Sequence, residues 1–277
     1  MKQLVTRTIF GALYVGVIVA GVMSGSFSML VLLLLLSTLA INEFLTLANM
    51  DETETSPVVK MLLNSLDCIG GSIMIITMWA GVIWNVGIAS YLLYLCIRMC
   101  VQLWISQGNA LRAMASSMMS QLYVALPLSL MTIIYRISPN VLLLIFVLVW
   151  VNDTFAFLTG SLLGRHKLWP RISPKKSWEG FIGGVVFTVL VAAACGYFFR
   201  AYLAGFGADA MAIVGVIVAI SATFGDLIES LIKRTVGVKD SGNLIPGHGG
   251  ILDRIDSLLL VSPAITIFIY YVLSYAI

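Results

Sequence analysis

The chain has 277 residues, 60% of them hydrophobic and only 10% charged, with a mean hydropathy of +1.02 and a formal net charge of +3. Those values exclude an ordinary soluble domain and give no basis for expecting a nucleic-acid partner. The four cysteines (Cys68, Cys96, Cys100, Cys195) all fall in apolar runs and have no metal-ligand spacing, so buried free thiols are expected rather than a disulfide framework.

Apolar runs recur down the whole chain. A membrane-spanning helix needs about 20 predominantly apolar residues, and the runs predict about nine: near residues 8–23, 27–47, 68–84, 88–105, 121–136, 140–163, 181–203, 210–231 and 255–277. The fold class expected is all-α, a polytopic integral membrane protein with its N-terminus in the cytoplasm. The first run is short and follows Lys2 and Arg7 like a signal peptide, but the second begins after a very short turn, so an uncleaved first helix is the better reading. With nine spans, thirteen basic residues lie on or near the inner face and only Arg136 and Arg200 at the outer face. That is a strong positive-inside bias.

Residues 1–138 read as a scaffold of transmembrane helices, and residues 139–277 as the catalytic region with a cytoplasm-facing polar site. In the scaffold, Glu43 and Arg98 are the exceptional ionisable groups, and snorkelling end charges account for both. Ser56-Pro57 predicts an N-cap and first turn, opening an amphipathic interfacial helix through Asp67. Residues 106–120 read as a polar connection. No internal repeat of the kind many transporters carry is visible.

Asp153 lies about eleven residues before Gly164, or ~16 Å along a helix at ~1.5 Å per residue. Such an Asp faces a polar cavity or a helix partner rather than lipid. Asp153, Phe157, Gly160 and Gly164 share one helical face by spacing. A basic loop follows, in which Ser173-Pro174-Lys175-Lys176-Ser177 meets Glu179-Gly180 at a helix start. A helix N-terminus beside two lysines is an anion site, and anionic lipid headgroups suit it.

Chemistry concentrates in Ser230–Asp256. Asp226, Glu229, Ser230 and Lys233 are spaced 0, 3, 4 and 7, so one helical stripe carries two carboxylates, a hydroxyl and an ammonium. An internal Glu229–Lys233 salt bridge would explain part of it without a ligand. Lys233, Arg234 and Lys239 suggest phosphate oxygens; Asp240, Asp253 and Asp256 suggest hard metal ions. Gly247, Gly249 and Gly250 around His248 let backbone N–H groups approach an anion. Asp253 and Asp256 open the last span one turn apart, and with Asp226 they can enclose a divalent site. Polyphosphate plus divalent metal at a membrane surface is the reading the residues support.

At these residues the chain closely resembles the phosphatidate cytidylyltransferases, also called CDP-diacylglycerol synthases. Their C-terminal signature is met by Ser230, Ile232, Lys233, Arg234, Lys239, Asp240, Gly242, Ile245, Pro246, His248, Gly249, Gly250, Asp253, Arg254 and Asp256. Asn152-Asp153 through Gly164-Arg165 and Ser173 through Gly180 also resemble the family. The likeness covers roughly residues 140–277. It implies that CTP and phosphatidate give CDP-diacylglycerol and pyrophosphate, with Mg²⁺ and room for a second metal ion.

The resemblance implies a catalytic set of Asp226, Lys233, Arg234, Lys239, Asp240, His248, Asp253, Arg254 and Asp256, with Asp226, Asp253 and Asp256 at the metal. Asp153, Lys175, Lys176, Ser177, Glu229, Ser230, Gly249 and Gly250 are expected to contact substrate, the lysines and Ser177 at the phosphatidate headgroup. Membrane lipids and a second copy of the chain are the further partners implied, at the inner membrane of a bacterium with the site facing the cytoplasm. Two rivals are a secondary transporter, which needs functional charges near the midplane, and a lipid kinase, which attacks a different phosphate.

Overall fold

The computed structural model describes residues 2–81, 84–244 and 249–275, with side chains described for 8–81, 86–244 and 249–272. Ten α-helices are found among them: α1 Lys2–Met23, α2 Ser26–Ala48, α3 Pro57–Ala80, α4 Trp84–Leu103, α5 Ala110–Ser120, α6 Leu126–Ile137, α7 Pro139–Leu163, α8 Trp178–Phe198, α9 Ala208–Thr235 and α10 Leu252–Tyr275. One two-stranded antiparallel hairpin, β1 Lys167–Trp169 and β2 Ser173–Ser177, is the sheet structure of the described residues. Eight helical stretches are long and apolar enough to cross a membrane, and the apolar part of α1, Thr8–Met23, is shorter. The chain is an all-α, multi-pass membrane protein. Large apolar side chains such as Phe27, Leu35, Leu162 and Phe198 are exposed on these helices, as lipid-facing positions must be.

Two expected boundaries move. Ser56 does cap α3, its Oγ accepting from Val59 N at 3.4 Å, but the helix runs unbroken to Ala80, with no proline after Pro57 to break it. The short interfacial helix is therefore the first half of a span. The stretch 106–120, read as a connection, contains α5. Asn109 caps it by accepting from Arg112 N at 3.0 Å, and Ser116 and Ser120 return their hydroxyls to backbone carbonyls of the preceding turn. Its α5 continues through a π-turn at Gln121–Ala125 into α6. Pro127 accounts for that wider turn: its ring crowds the carbonyl four residues earlier and it has no N–H to offer. The cysteines also depart from expectation. All four are free, but Cys96 and Cys100 are exposed on α4 rather than buried.

Packing divides the chain into two compact units that interleave in sequence, residues 1–133 with 235–254, and residues 134–234 with 255–277. In the first unit, α2 and α3 pack together, with α1, α4, α5 and the π-turn around them. Its interior holds an ion pair. Asp67 and Arg98 are each 1% exposed and 3.0 Å apart. Asp67 also accepts from Tyr94 Oη at 2.9 Å and Ser117 Oγ at 2.6 Å, while Arg98 donates to Gln102 Oε1 and the Ala113 carbonyl. Arg98 is thus a buried tie between α3, α4 and α5, not a snorkelling charge. Breaking such a pair from one side costs about 3–5 kcal/mol.

In the second unit α7 and α8 lie against each other over much of their length. Glycines allow it: a Cβ on Gly180 would stand 2.7 Å from the Ala156 carbonyl, and one on Gly184 2.7 Å from Asn152 Oδ1. Close backbone approach through small residues is how helices associate where lipid offers no hydrophobic drive.

Candidate active site

The hairpin delivers the basic loop. Lys167 pairs with Ser177 and Trp169 with Ser173, and Pro174 is tolerated because a two-stranded sheet leaves an edge open. Where β2 ends, Ser177 becomes the N-cap of α8, its buried Oγ accepting from Gly180 N at 3.2 Å. Glu179 folds back to accept from Arg165 N at 3.1 Å and to meet His166 Nδ1 at 2.6 Å. The two ends of the loop are therefore stapled to the first turn of α8. Of the two lysines, Lys175 is exposed and Lys176 half-buried.

Lys176 reaches α9. Its Nζ lies 2.8 Å from Asp226 Oδ2 and 3.4 Å from the Thr223 carbonyl. Asp226 Oδ1 also accepts from Ser230 Oγ at 3.2 Å. Glu229 and Lys233, both buried, form the ion pair that their spacing allowed. Arg234 beyond them is exposed.

Next to Asp226, Gly225 brings α10 in close. A Cβ there would stand 2.8 Å from the Asp256 carbonyl and 3.0 Å from Ser257 Cα. Asp256, half-buried, accepts from Ser257 N and lies within the electrostatic reach of Asp226, Asp153 and Lys233. Four carboxylates, Asp153, Asp226, Glu229 and Asp256, and the two ammonium groups of Lys176 and Lys233 are thereby gathered in the second unit. Asp153 is exposed on α7, whereas its neighbour Asn152 is buried, with Nδ2 3.4 Å from Thr223 Oγ1.

The glycine-rich turn belongs to the first unit. Ile245, Pro246, Gly247 and His248 lie outside the described residues, so the expected roles of His248 and of that half of the turn have no geometry here. Lys239 and Asp240 are exposed and Ser241 is buried. Asp253 Oδ2 accepts from Ser241 N at 2.9 Å and from Gly250 N at 2.8 Å. Gly249 has φ +82, a conformation that favours glycine.

One residue of this site went unrecognised in the sequence. Glu43 of α2, read there as a snorkelling charge, accepts from Ile251 N at 2.9 Å through Oε1 and from Leu252 N at 2.8 Å through Oε2. Oε2 also accepts from Ser241 Oγ at 3.0 Å. Tyr14 Oη of α1 donates to the Arg254 carbonyl at 3.0 Å. A carboxylate placed late in a long apolar helix was the available signal for Glu43; nothing local named its partners.

A divalent metal fits the carboxylate chemistry of the second unit in one respect and not in another. Among the described residues no group of three or more His, Cys, Asp or Glu forms a ready cage. Mg²⁺ does not need one, since it takes one or two carboxylates and completes its octahedron with substrate phosphates and water. Asp226 and Asp256, hard oxygen donors brought near each other at Gly225, suit that mode.

Comparison with known proteins agrees with the motifs. The model of the Cytidylyltransferase family matches residues 5–272. A phosphatidate cytidylyltransferase of Staphylococcus aureus (strain COL) is 48% identical over 124 residues, which is 44% of this chain and 46% of that protein. One from Staphylococcus haemolyticus is 47% identical over 122 residues, again 44% and 46%, and one from Staphylococcus epidermidis 44% over 126 residues, 46% and 47%. The chain thus spans about half the length of the relatives it matches. With the family model covering nearly all of it, the chain belongs to the Cytidylyltransferase family.

Proposed function

We propose that this protein transfers the cytidylyl group of CTP to phosphatidate, giving CDP-diacylglycerol and pyrophosphate, at the cytoplasmic face of the inner membrane. The observation that carries the reading is family membership over residues 5–272, in a chain whose own residues read as polyphosphate, metal and lipid chemistry. The names of the relatives supply the cytidylyl group and phosphatidate.

The phosphate of phosphatidate is itself the nucleophile, so the protein's work is to hold it in line with the α-phosphorus and to screen charge. Lys175 and Lys176, on the hairpin, take the headgroup phosphate, with Ser177 setting their position through the α8 cap. Arg234, Lys239 and Arg254 hold the triphosphate, and Lys233 does so from within its pair with Glu229. Asp153 and Ser230 orient the bound substrates. Backbone N–H groups at Gly249 and Gly250 and the side chain of His248 steady the leaving pyrophosphate. Asp240 orders the turn beside Lys239. Asp226, Asp253 and Asp256 are the residues that would hold Mg²⁺ and, with two sites filled, a second ion. When bound, Mg²⁺ neutralises charge that develops on the departing phosphates.

The test is synthesis of a CDP-lipid by the purified protein in detergent, given CTP, phosphatidate and Mg²⁺. Product that depends on all three supports the reading. Its absence from protein that is folded and monodisperse contradicts it.

A further inference from the structure

We infer that Glu43 is a positioning residue for the reaction, so that the N-terminal helices reach into the signature turn and do more than span the membrane. The inference rests on the function proposed above.

Helix α10 begins in an unusual way. Asp253, in the first turn, reaches back three residues to the Gly250 N–H, which lies ahead of the helix. The first amides of a helix need a side-chain acceptor, and neither Gly250 nor Ile251, just ahead of Leu252, carries one. Glu43 supplies it from α2, accepting from the next two amides, Ile251 and Leu252. Glycine is required at position 250, because a Cβ there would collide with Glu43 Oε2 and Ser241 Oγ, and one on Gly242 would stand 2.9 Å from Glu43 Oε1.

Ser241 joins the two carboxylates. Its N–H goes to Asp253 and its hydroxyl to Glu43. Glu43 and Asp253 therefore grip the same two ends of the signature turn, 241 and 250–252. Asp253 has one oxygen fixed by the Ser241 and Gly250 amides, and Glu43 holds the hydroxyl of the first of these residues and the two amides that follow the second. Side chains that orient a ligating or reacting carboxylate in this way typically matter by 10–100-fold. Glutamine cannot replace Glu43, since both oxygens accept and an NH₂ in either place would face a donor.

The experiment compares Glu43→Gln and Ser241→Ala with the parent protein in detergent, by steady-state kinetics and by hydrogen–deuterium exchange of the peptide covering 239–255. For Glu43→Gln, kcat is expected to fall 10- to 100-fold with KM for phosphatidate within about 2-fold, and exchange to rise in 239–255 while α2 and α3 stay protected. Ser241→Ala, which removes one contact and no charge, is expected to shift both readouts in the same direction but less. Parent-like kcat and exchange in Glu43→Gln would return Glu43 to a simple end charge. Loss of protection throughout α2, α3 and α5 in both variants would make it a folding residue and overturn the inference equally. Exchange scores the turn whether or not the parent makes CDP-lipid, so failure of the proposed reaction and failure of the Glu43 role are told apart.

Discussion

Lys176 Nζ and Asp226 Oδ2 stand 2.8 Å apart, joining the basic hairpin to the carboxylate end of α9. Two groups read separately in the sequence, one for a lipid phosphate and one for a metal, are a single ion pair in the folded second unit. The pair also explains how the site tolerates like charges before substrate arrives: the ammonium neutralises Asp226 while Glu229 neutralises Lys233.

Substitution within this pair is expected to remove catalysis while sparing insertion. Asp226→Asn and Lys176→Met should each lower kcat/KM by on the order of 10²–10³-fold, the scale of losing one preorganised electrostatic group. Asp253→Asn should do the same. Steady-state kinetics with size-exclusion profiles as the folding check measure this. Turnover close to the parent's in Asp226→Asn, at saturating Mg²⁺, would remove that residue from the proposed metal set.

Gly225 tests the closeness of α9 and α10. A Cβ there meets the Asp256 carbonyl at 2.8 Å, so Gly225→Ala must push the helices apart at the carboxylates. Overpacking of this kind costs about 1–3 kcal/mol, read as a lower midpoint of thermal unfolding in detergent, and activity should fall with it. Gly16→Ala, where a Cβ meets nothing within 4 Å, is the matched control and should leave both unchanged.

What the sequence could and could not reveal follows from distance along the chain. The Ser230–Asp226 and Glu229–Lys233 contacts are four residues apart on one helix, and periodicity predicts them. Lys176 and Asp226 are joined only by the fold, and so are Asp67 and Arg98. The Glu43 contacts are the hardest case, because its Ser241 partner is 198 positions away and its other partners are backbone amides, which any residue supplies. The spans themselves were legible from hydropathy. Continuity was not: the Pro57 helix and the Ala110 helix run on where polar residues suggested interfaces and connections, because those polar groups find buried partners such as Arg98 and Ser117 for Asp67.

The positive-inside count predicts that the basic loops face the cytoplasm. Single cysteines at Arg171 and Asn243, both exposed, in a background lacking Cys68, Cys96, Cys100 and Cys195, should react with impermeant thiol reagents only from the cytoplasmic side. Ser241, buried between Glu43 and Asp253, is a poor reporter and should label slowly from either side. Labelling of Asn243→Cys from the outside alone would reverse the topology and with it the supply of CTP.

Transfer is expected to be direct, with no covalent nucleotidyl-enzyme. Ser230 and Ser241 donate their hydroxyls to Asp226 and Glu43, and neither contact involves a histidine base. Protein incubated with Mg²⁺ and α-labelled CTP in the absence of lipid should therefore carry no label. Pyrophosphate should exchange into CTP only once phosphatidate is added. Stoichiometric label on Ser230, Ser241 or His248 that passes to added phosphatidate would establish the covalent route.

The central claim is that the α-phosphorus of CTP is attacked, which separates a cytidylyltransferase from a lipid kinase using the same nucleotide. Parallel reactions of purified protein, phosphatidate and Mg²⁺ with α-labelled and γ-labelled CTP decide it. The account predicts α-label in the organic extract as CDP-diacylglycerol and γ-label in the aqueous phase as pyrophosphate, in equal molar amounts. Label from the γ-phosphate in the lipid, with CDP left in water, would contradict it.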